Sequence, residues 1–252
     1  MVSTPIQTPA LIDTDKITGK KIIAFGAHPD DIEFTSAGTI FQLSRNNDVH
    51  FAIATDGSYG THDHNQDRGE LVKTRYQEAR ESAKQLKAKE IDFWSYPDLD
   101  LQNRKRQLLK KVVKALLKIK PDIVFSWDPW GKYEPAVHPD HRALAWAVAE
   151  GVMMSTLPKW IHRKGLGNKF LSPKPQLWLY APGEANIAVD ISPAWEQKIT
   201  AIKLFKSQFD SEVVMEKVES RLQNNHSRVG EQVGVQYAEP FRIMEYRGEW
   251  DR

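Results

Sequence analysis

The feature that most constrains the fold is a regular alternation of short apolar segments with longer segments of helical pattern. The short segments are typical of buried strands and lie at 20–26, 49–54, 91–94 and 123–127. The longer ones lie at 31–43, 71–86, 108–117 and 143–154. Strand and helix in this order predict βαβ units with right-handed crossovers, and hence an α/β fold built around a mainly parallel sheet.

The pattern changes after about residue 165. Strands are predicted near 177–180 and 188–191, and helices at 193–208 and 212–222. We interpret this part as a C-terminal α/β extension of a single domain, 19–252, rather than as an independent domain. Residues 1–18 are punctuated by Thr, Pro and Asp and are predicted to form an N-terminal arm.

Composition excludes several classes of function. The 35 Lys and Arg residues nearly balance the 33 Asp and Glu residues, which argues against a nucleic-acid partner or a polybasic membrane surface. The chain contains no cysteine, so disulfides, thiolate nucleophiles and cysteine-based zinc sites are excluded. No apolar run approaches the roughly 20 residues of a membrane helix, and the N-terminus lacks a signal-peptide pattern. We therefore expect a cytoplasmic protein with no membrane span.

Ionisable residues follow each predicted strand. His-Pro-Asp-Asp at 28–31 follows the first strand, and His-Pro-Asp-His at 138–141 comes after the fourth. Asp56, Asp98 and Asp128 follow the second, third and fourth strands. Ligands of open parallel sheets bind outside the carboxyl ends of the strands, so these groups are expected at one edge. A lone aspartate there is a common turn or cap residue, but two histidine-bearing clusters together favour a metal site.

The ligand types indicate the metal and its chemistry. Imidazole and carboxylate without thiolate suit Zn²⁺, and Fe²⁺ with two histidines and one carboxylate uses the same types. Catalytic zinc keeps three protein ligands and lowers the pKa of its water from roughly 15.7 to about 7. The clusters hold more acidic groups than three ligands require, which leaves one as a general base. The sequence therefore predicts metal-assisted hydrolysis of a carbonyl or phosphoryl group.

The two clusters also carry a family resemblance. Ala-His-Pro-Asp-Asp at 27–31, followed by Gly-Thr-Ile at 38–40, resembles the LmbE-like/PIG-L family of zinc-dependent N-acetylglucosamine deacetylases. His-Pro-Asp-His-Arg-Ala at 138–143 resembles the second signature of that family. Weaker echoes continue in family order from about residue 20 to 245. The resemblance implies a Rossmann-like sheet with helices on both faces.

The resemblance assigns roles to six residues of the two clusters. The zinc ligands it implies are His28, Asp31 and His141. It implies that Asp30 is the general base that takes a proton from water. His138 would stabilise the tetrahedral intermediate and protonate the leaving amine, and Asp140 would orient His138.

The resemblance is less complete for substrate contacts. Arg75 matches the family position that contacts the sugar. Tyr133, five residues before His138, is the candidate for the family tyrosine that polarises the amide carbonyl. Trp127 and Trp130 flank Asp128 and could stack on a sugar face or pack in the core. His62 and His64 are interpreted as solvated loop residues rather than as extra ligands.

The lead hypothesis is removal of an N-acetyl group from a small molecule or glycoconjugate that contains N-acetylglucosamine. One alternative is metal-dependent hydrolysis of another amide or of a phosphoester. Another is a non-catalytic sugar-binding module with a vestigial metal site. A dinucleotide enzyme is disfavoured, because no glycine fingerprint follows the first strand. The resemblance also allows a homo-oligomer.

Overall fold

The computed structural model of the protein describes residues 8–61, 63–132, 137–209 and 211–244. The strands are β1 (Ala10–Ile12), β2 (Lys21–Gly26), β3 (Asp48–Thr55), β4 (Glu90–Tyr96), β5 (Ile123–Trp127), β6 (Gln176–Tyr180), β7 (Ile187–Asp190) and β8 (Ala238–Met244). The α-helices are α1 (Asp31–Leu43), α2 (Arg68–Gln85), α3 (Lys105–Ile119), α4 (Pro139–Met154), α5 (Pro158–Arg163), α6 (Trp195–Lys203) and α7 (Glu212–Val233). Among these helices, none is long and apolar enough to cross a lipid bilayer.

The eight strands form one sheet in the order β1-β7-β8-β6-β5-β2-β3-β4. Strand β8 runs antiparallel to β6 and β7, and the remaining pairs are parallel. From β2 the chain moves outward to β3 and β4, then returns to place β5 on the other side of β2. This reversal opens a crevice at the carboxyl ends of β2 and β5, which is where such sheets bind ligands.

Both faces of the sheet are buried under helices. Along β2, Ile22 and Ala24 point into one apolar cluster while Ile23 and Phe25 point into the other, and all four are fully buried. Alternation of side chains along a strand sends successive residues to opposite faces, and a strand covered on both sides is therefore apolar throughout. This explains why the sequence of β2 is an unbroken apolar run. Packing on both faces also holds β2, the strand that ends at the crevice, rigidly in place.

The predicted mainly parallel α/β sheet with helices on both faces is confirmed. Helix α1 and strand β5 have the predicted bounds, and α7 continues past residue 222 to Val233, where Gly234 ends it with φ at 79°. The predicted arm is described from Thr8, and its residues 10–12 pair with β7 as an edge strand.

Strand β8 was not predicted from the sequence. It contains Pro240, which cannot donate to a ladder hydrogen bond, and this lowers the strand propensity of the segment. Its position between β6 and β7 is stabilised by long-range pairing that a local pattern does not reveal.

Candidate active site

The first cluster occupies a tightly held turn between β2 and α1. Thr55 donates from its amide and its Oγ1 to the Ala27 carbonyl oxygen, at 2.8 and 2.7 Å, which ties the turn to the end of β3. Gly26 leaves room for this: a Cβ there would lie 3.0 Å from both Ile53 Cδ1 and the His28 carbonyl oxygen. Helix α1 then begins at Asp31, so the cluster lies at its N-terminus.

Three potential ligand atoms from the two clusters converge at this turn. His28 Nδ1 lies 3.1 Å from His141 Nε2 and 3.5 Å from Asp31 Oδ1, and the latter two atoms are 3.2 Å apart. Ligands about 2.0–2.1 Å from a tetrahedral Zn²⁺ lie about 3.3 Å from one another, so these spacings match the edges of such a site. All three side chains are buried. The three residues could therefore hold a metal ion.

The second oxygen of Asp31 is already occupied. Its Oδ2 atom accepts hydrogen bonds from the amides of Ala27 and His28, at 2.6 and 3.0 Å, and from the Trp127 indole at 2.9 Å. These donors fix the carboxylate so that Oδ1 faces the two histidines. Burial opposes ionisation of Asp31, but the adjacent His141 and His28 hold its pKa well below the usual value.

The side chains around His28 favour a cation. Burial by itself would lower the pKa of His28, yet the carboxylates of Asp31, Asp140 and Asp98 raise it well above the usual value. Without a metal, these carboxylates therefore hold a proton on His28. Metal ligation requires neutral imidazole, so metal binding would release that proton.

Asp98, for which the sequence predicts no role in the site, holds the far side of His28. His28 Nε2 lies 3.2 Å from Asp98 Oδ1, and Asp98 also accepts hydrogen bonds from the amides of Tyr59 and Leu99, at 3.0 and 2.9 Å. A carboxylate on one ring nitrogen fixes the tautomer and leaves the other nitrogen to a metal. The signal available in the sequence was the position of Asp98 after β4, at the same edge as the two clusters.

Asp140 lies at the start of α4 and is fully buried. Its carboxylate accepts hydrogen bonds from the amides of Leu99 and Leu101, at 2.6 and 3.0 Å, and its Oδ2 is 3.5 Å from His28 Nε2. We expected the Asp140 carboxylate to orient His138, but in the structure it contacts the two loop amides and His28. The amide of Asp140, a free donor of the first helical turn, instead donates to His138 Nδ1 at 3.3 Å.

This hydrogen bond defines the state of His138. Because Nδ1 accepts from the Asp140 amide, the proton of the neutral ring lies on Nε2. Partial burial, then the neighbouring His28 and His141, lower the pKa of His138. Its ring centroid lies 4.6 Å from those of both other histidines. His138 is therefore a neutral Nε2–H donor beside the converging ligand atoms.

Asp30 stands immediately before α1 without capping it. Its Oδ2 lies 3.2 Å from Arg75 Nη2, and the other terminal nitrogen of Arg75 donates to the Gly57 carbonyl oxygen at 2.5 Å. Arg75 was expected to contact a sugar, but it is only 2% exposed and reaches Asp30 instead. Gly57 and Gly60 leave room for the buried guanidinium of Arg75, since a Cβ on either glycine would lie 2.5 or 2.2 Å, respectively, from Arg75 Nη1.

The remaining candidate residues differ in where they lie relative to the site. Trp127 is buried and stacks on His141, with centroids 4.0 Å apart and an interplanar angle of 11°, so it is part of the site wall. Trp130 is 44% exposed. His64 lies in an exposed loop. Tyr133 and His62 lie outside the described residues.

The chain is similar to known proteins in sequence and in fold. A family model described as "PIG-L: GlcNAc-PI de-N-acetylase" matches residues 23–152, which include both clusters. A diacetylchitobiose deacetylase from Thermococcus kodakarensis is 32% identical over 226 residues, covering 89% of this chain and 83% of that protein. The structure of an N,N'-diacetylchitobiose deacetylase from Pyrococcus horikoshii, in complex with its inhibitor, matches at a TM-score of 0.80 and 35% identity. That match covers 89% of this chain and 84% of the other.

The same fold also occurs in a more distant enzyme. A 4-carboxy-2-hydroxymuconate hydratase from Pseudomonas putida superposes with a TM-score of 0.72 at 16% identity, over 91% of this chain and 98% of that one. At that identity the likeness concerns the fold alone. The family match, in contrast, spans residues 23–152 and so includes both clusters, and the 32% identical relative is matched over 89% of this chain. The chain therefore belongs to the PIG-L family of de-N-acetylases.

Proposed function

We propose that this protein is a zinc-dependent hydrolase that removes the N-acetyl group from a small molecule or glycoconjugate containing N-acetylglucosamine. One observation carries the proposal. His28 Nδ1, Asp31 Oδ1 and His141 Nε2 lie within 3.5 Å of one another, and Asp30, the residue before Asp31, turns its carboxylate to Arg75. The named relatives, both diacetylchitobiose deacetylases, support the choice of an N-acetylated sugar.

Among the residues that the structure describes, two other groupings of side chains are close enough to hold a metal: His28 with His138 and His141, and His28 with Asp98 and Asp140. Their hydrogen bonds argue against both. His138 Nδ1 is occupied by a helix amide, and the carboxylates of Asp98 and Asp140 are occupied by loop amides. We therefore assign the metal to His28, Asp31 and His141.

Zn²⁺ bound to these three ligands would act as a Lewis acid, activating a water molecule and polarising the amide carbonyl, and Fe²⁺ suits the same ligand types. The acid–base work falls to the protein. Asp30 makes no side-chain cap on α1 and its carboxylate faces Arg75, so it is the group that would accept the proton that the attacking water loses. Arg75 holds that carboxylate in position through its fork of donors. The buried surroundings strengthen each of these interactions.

His138 completes the reaction. Its Nε2–H can donate a hydrogen bond to the developing oxyanion, and the proton that Asp30 takes from the water can pass to the departing nitrogen, so that amide cleavage yields acetate and a free amine. His138 keeps its own proton, because its neutral ring would otherwise become an anion. The Asp140 amide on Nδ1 keeps the donor proton on Nε2. In this account Asp140 acts on His138 through its backbone and on His28 through its carboxylate.

Two substitutions test the division of roles. Asp30→Ala is expected to keep one equivalent of zinc and to lower acetate release by about 10²–10⁴-fold, the usual contribution of a positioned base. His141→Ala is expected to lose zinc and activity together. His162→Ala is the matched control, because His162 is exposed on α5 and hydrogen-bonds to Asn168 at 3.0 Å.

The assay measures acetate release from N-acetylglucosamine and N,N'-diacetylchitobiose, with metal content by mass spectrometry. Chelation should abolish turnover, and added Zn²⁺ should restore it. Equal zinc loss in Asp30→Ala and His141→Ala would show that the roles are misassigned. Full activity after exhaustive metal removal would contradict the proposal. Release of phosphate from sugar phosphates without release of acetate would favour the phosphoesterase alternative.

Three further predictions stay open. Limited proteolysis tests whether 19–252 is a single catalytic domain. Fractionation of the native host tests cytoplasmic residence, and analytical ultracentrifugation tests whether the protein is a homo-oligomer.

A further inference from the structure

A buried ion pair contacts the backbone of helix α1 from two other elements of the fold. Lys198, on α6, and Glu239, on β8, are both fully buried, and Lys198 Nζ lies 2.8 Å from Glu239 Oε1. Lys198 Nζ also donates to the carbonyl oxygens of Glu33 and Phe34 on α1, at 3.0 and 2.8 Å. An ammonium group has three N–H donors, so these three acceptors use all of them. Lys198 is therefore committed to α1 and to its partner Glu239.

The Glu239 carboxylate binds the same helix through its amides. Oε1 accepts a hydrogen bond from the Gly38 amide at 3.1 Å, and Oε2 accepts one from the Thr39 amide at 2.8 Å. In a regular α-helix the Gly38 amide pairs with the Phe34 carbonyl oxygen. Here that amide donates to Glu239, and that carbonyl oxygen accepts from Lys198. The ion pair thus contacts both groups of one backbone pairing position in α1.

These contacts lie one turn away from the proposed base and one proposed zinc ligand. The Phe34 amide donates to the Asp30 carbonyl oxygen at 3.2 Å, and the Phe34 carbonyl oxygen accepts from Lys198. Thr35 Oγ1 donates to the Asp31 carbonyl oxygen at 2.7 Å. With a rise of about 1.5 Å per residue, Phe34 lies about 4.5 Å from Asp31 along the helix axis. A shift of this turn would therefore move the backbone that carries Asp30 and Asp31.

Stability alone does not account for the ion pair. Burial of two charges carries a large desolvation cost, and apolar side chains of similar volume in place of a buried pair are often neutral or stabilising. Such side chains would also leave Gly38 and Phe34 free to pair with each other within α1. They could not, however, replace the directed hydrogen bonds that Lys198 and Glu239 make to the helix backbone. What the pair adds is a fixed position for α1.

We propose that Lys198 and Glu239 are positioning residues that hold the first turns of α1 and thereby set the positions of Asp30 and Asp31 in the active site. Both residues act through the backbone of α1 rather than through contact with the reacting atoms. The catalytic part of this proposal rests on the proposed function, whereas the part that concerns zinc binding rests only on the ligand set.

The test removes the pair without leaving a buried charge. In the double variant Lys198→Met/Glu239→Met both side chains become apolar at similar volume, so we expect a urea unfolding midpoint close to that of the wild type. The kcat for acetate release from N,N'-diacetylchitobiose should fall about 10- to 100-fold, because misplacement of a catalytic group by about 1 Å has an effect of this size. KM should change less than about twofold. The Kd for zinc, measured by competition with a chelator, should rise several fold.

Two control variants separate positioning from general stability. Lys203→Met also removes an ion pair of a lysine on α6, made with Glu219 at 2.7 Å, but this lysine side chain is 49% exposed. It should leave the urea midpoint, kcat and zinc affinity as they are in the wild type. Leu116→Ala creates a cavity at a fully buried position of α3, in the apolar cluster on the opposite face of the sheet from α1. It should lower the urea midpoint while kcat and the Kd for zinc stay unchanged.

Wild-type kcat and zinc affinity in the folded double variant would show that the pair is only structural, and the proposed function would stand. A loss of kcat in Leu116→Ala as large as that in the double variant would also overturn the positioning proposal. If the wild type binds zinc but releases no acetate, the proposed function fails, and the Kd for zinc of the double variant alone decides on positioning. If the double variant does not fold, Glu239→Gln, which keeps the shape of the side chain, decides by the same kcat and Kd.

Discussion

Replacing Asp98 with asparagine should weaken zinc binding without unfolding the protein. In the wild type, Asp98 Oδ1 accepts from His28 Nε2 and the Leu99 amide, and Oδ2 accepts from the Tyr59 amide. An asparagine keeps one acceptor oxygen and replaces the other with two N–H donors. If the new donors face Tyr59, two donors oppose each other. If they face His28, the ring can pair with them only by moving its proton to Nδ1, the nitrogen that must bind the metal.

The size of the effect follows from these contacts. One charge-assisted hydrogen bond is lost, which costs about 1.5–3 kcal/mol. Partners on the far nitrogen of a metal-binding histidine contribute about 10- to 100-fold to metal affinity, which corresponds to roughly 1.4–2.7 kcal/mol. The two values agree. The Leu99 amide is affected less by the substitution, because it keeps a second acceptor, Asp140 Oδ2, at 2.6 Å.

Zinc affinity is measured by competition with a chromophoric chelator of known affinity, on protein whose folding is checked by circular dichroism. Asp92→Asn is the control: Asp92 is exposed on the same strand, β4, and accepts one hydrogen bond, from Trp94 Nε1 at 3.0 Å. We expect Asp98→Asn to bind zinc 10- to 100-fold more weakly and the control to bind as the wild type does. Unchanged affinity in Asp98→Asn would refute the reasoning from tautomers.

Two further predictions concern stability. Burial, and then the charge of Lys198, lower the pKa of His226 to about 4. In the unfolded chain His226 is protonated below about pH 6.5, whereas in the folded chain it stays neutral down to about pH 4. Between these two pH values the free energy of unfolding therefore falls on acidification, by up to about 1.4 kcal/mol per pH unit. His226→Gln should reduce that slope, as measured by urea unfolding at pH 7.5 and pH 5; an unchanged slope would contradict the assignment. Lys198 and Glu239 form a fully buried ion pair at 2.8 Å, so Lys198→Met should lower the free energy of unfolding by about 3–5 kcal/mol. The double variant with Glu239→Gln should lose less than the sum of the two single variants, whereas strict additivity would show that the pair does not couple.

Much of the fold and the ligand clusters could be predicted because their signals are local. The apolar run of β2 and the helical pattern after Asp31 are read within a few residues. The histidine-bearing clusters are also local, and both lie after strands that end at one edge. The family motifs then predict His28, Asp31 and His141 as the metal ligands.

The features of the site that the sequence did not reveal depend on contacts between residues far apart in sequence. Asp98 reaches His28 across 70 positions, and nothing local separates it from an ordinary turn aspartate. Arg75 follows a family pattern, but only the structure reveals that Gly57 and Gly60 allow it to be buried against Asp30. The carboxylate of Asp140 likewise turns to loop amides after β4, a choice that depends on how that loop packs.

The most direct test of the account is the crystal structure of the zinc-loaded protein, with anomalous scattering recorded at the zinc edge. We expect one anomalous peak about 2.0–2.2 Å from His28 Nδ1, Asp31 Oδ1 and His141 Nε2, with the Asp30 carboxylate unligated and still paired with Arg75. A peak coordinated by His138, by Asp98 or by Asp30 itself would contradict it.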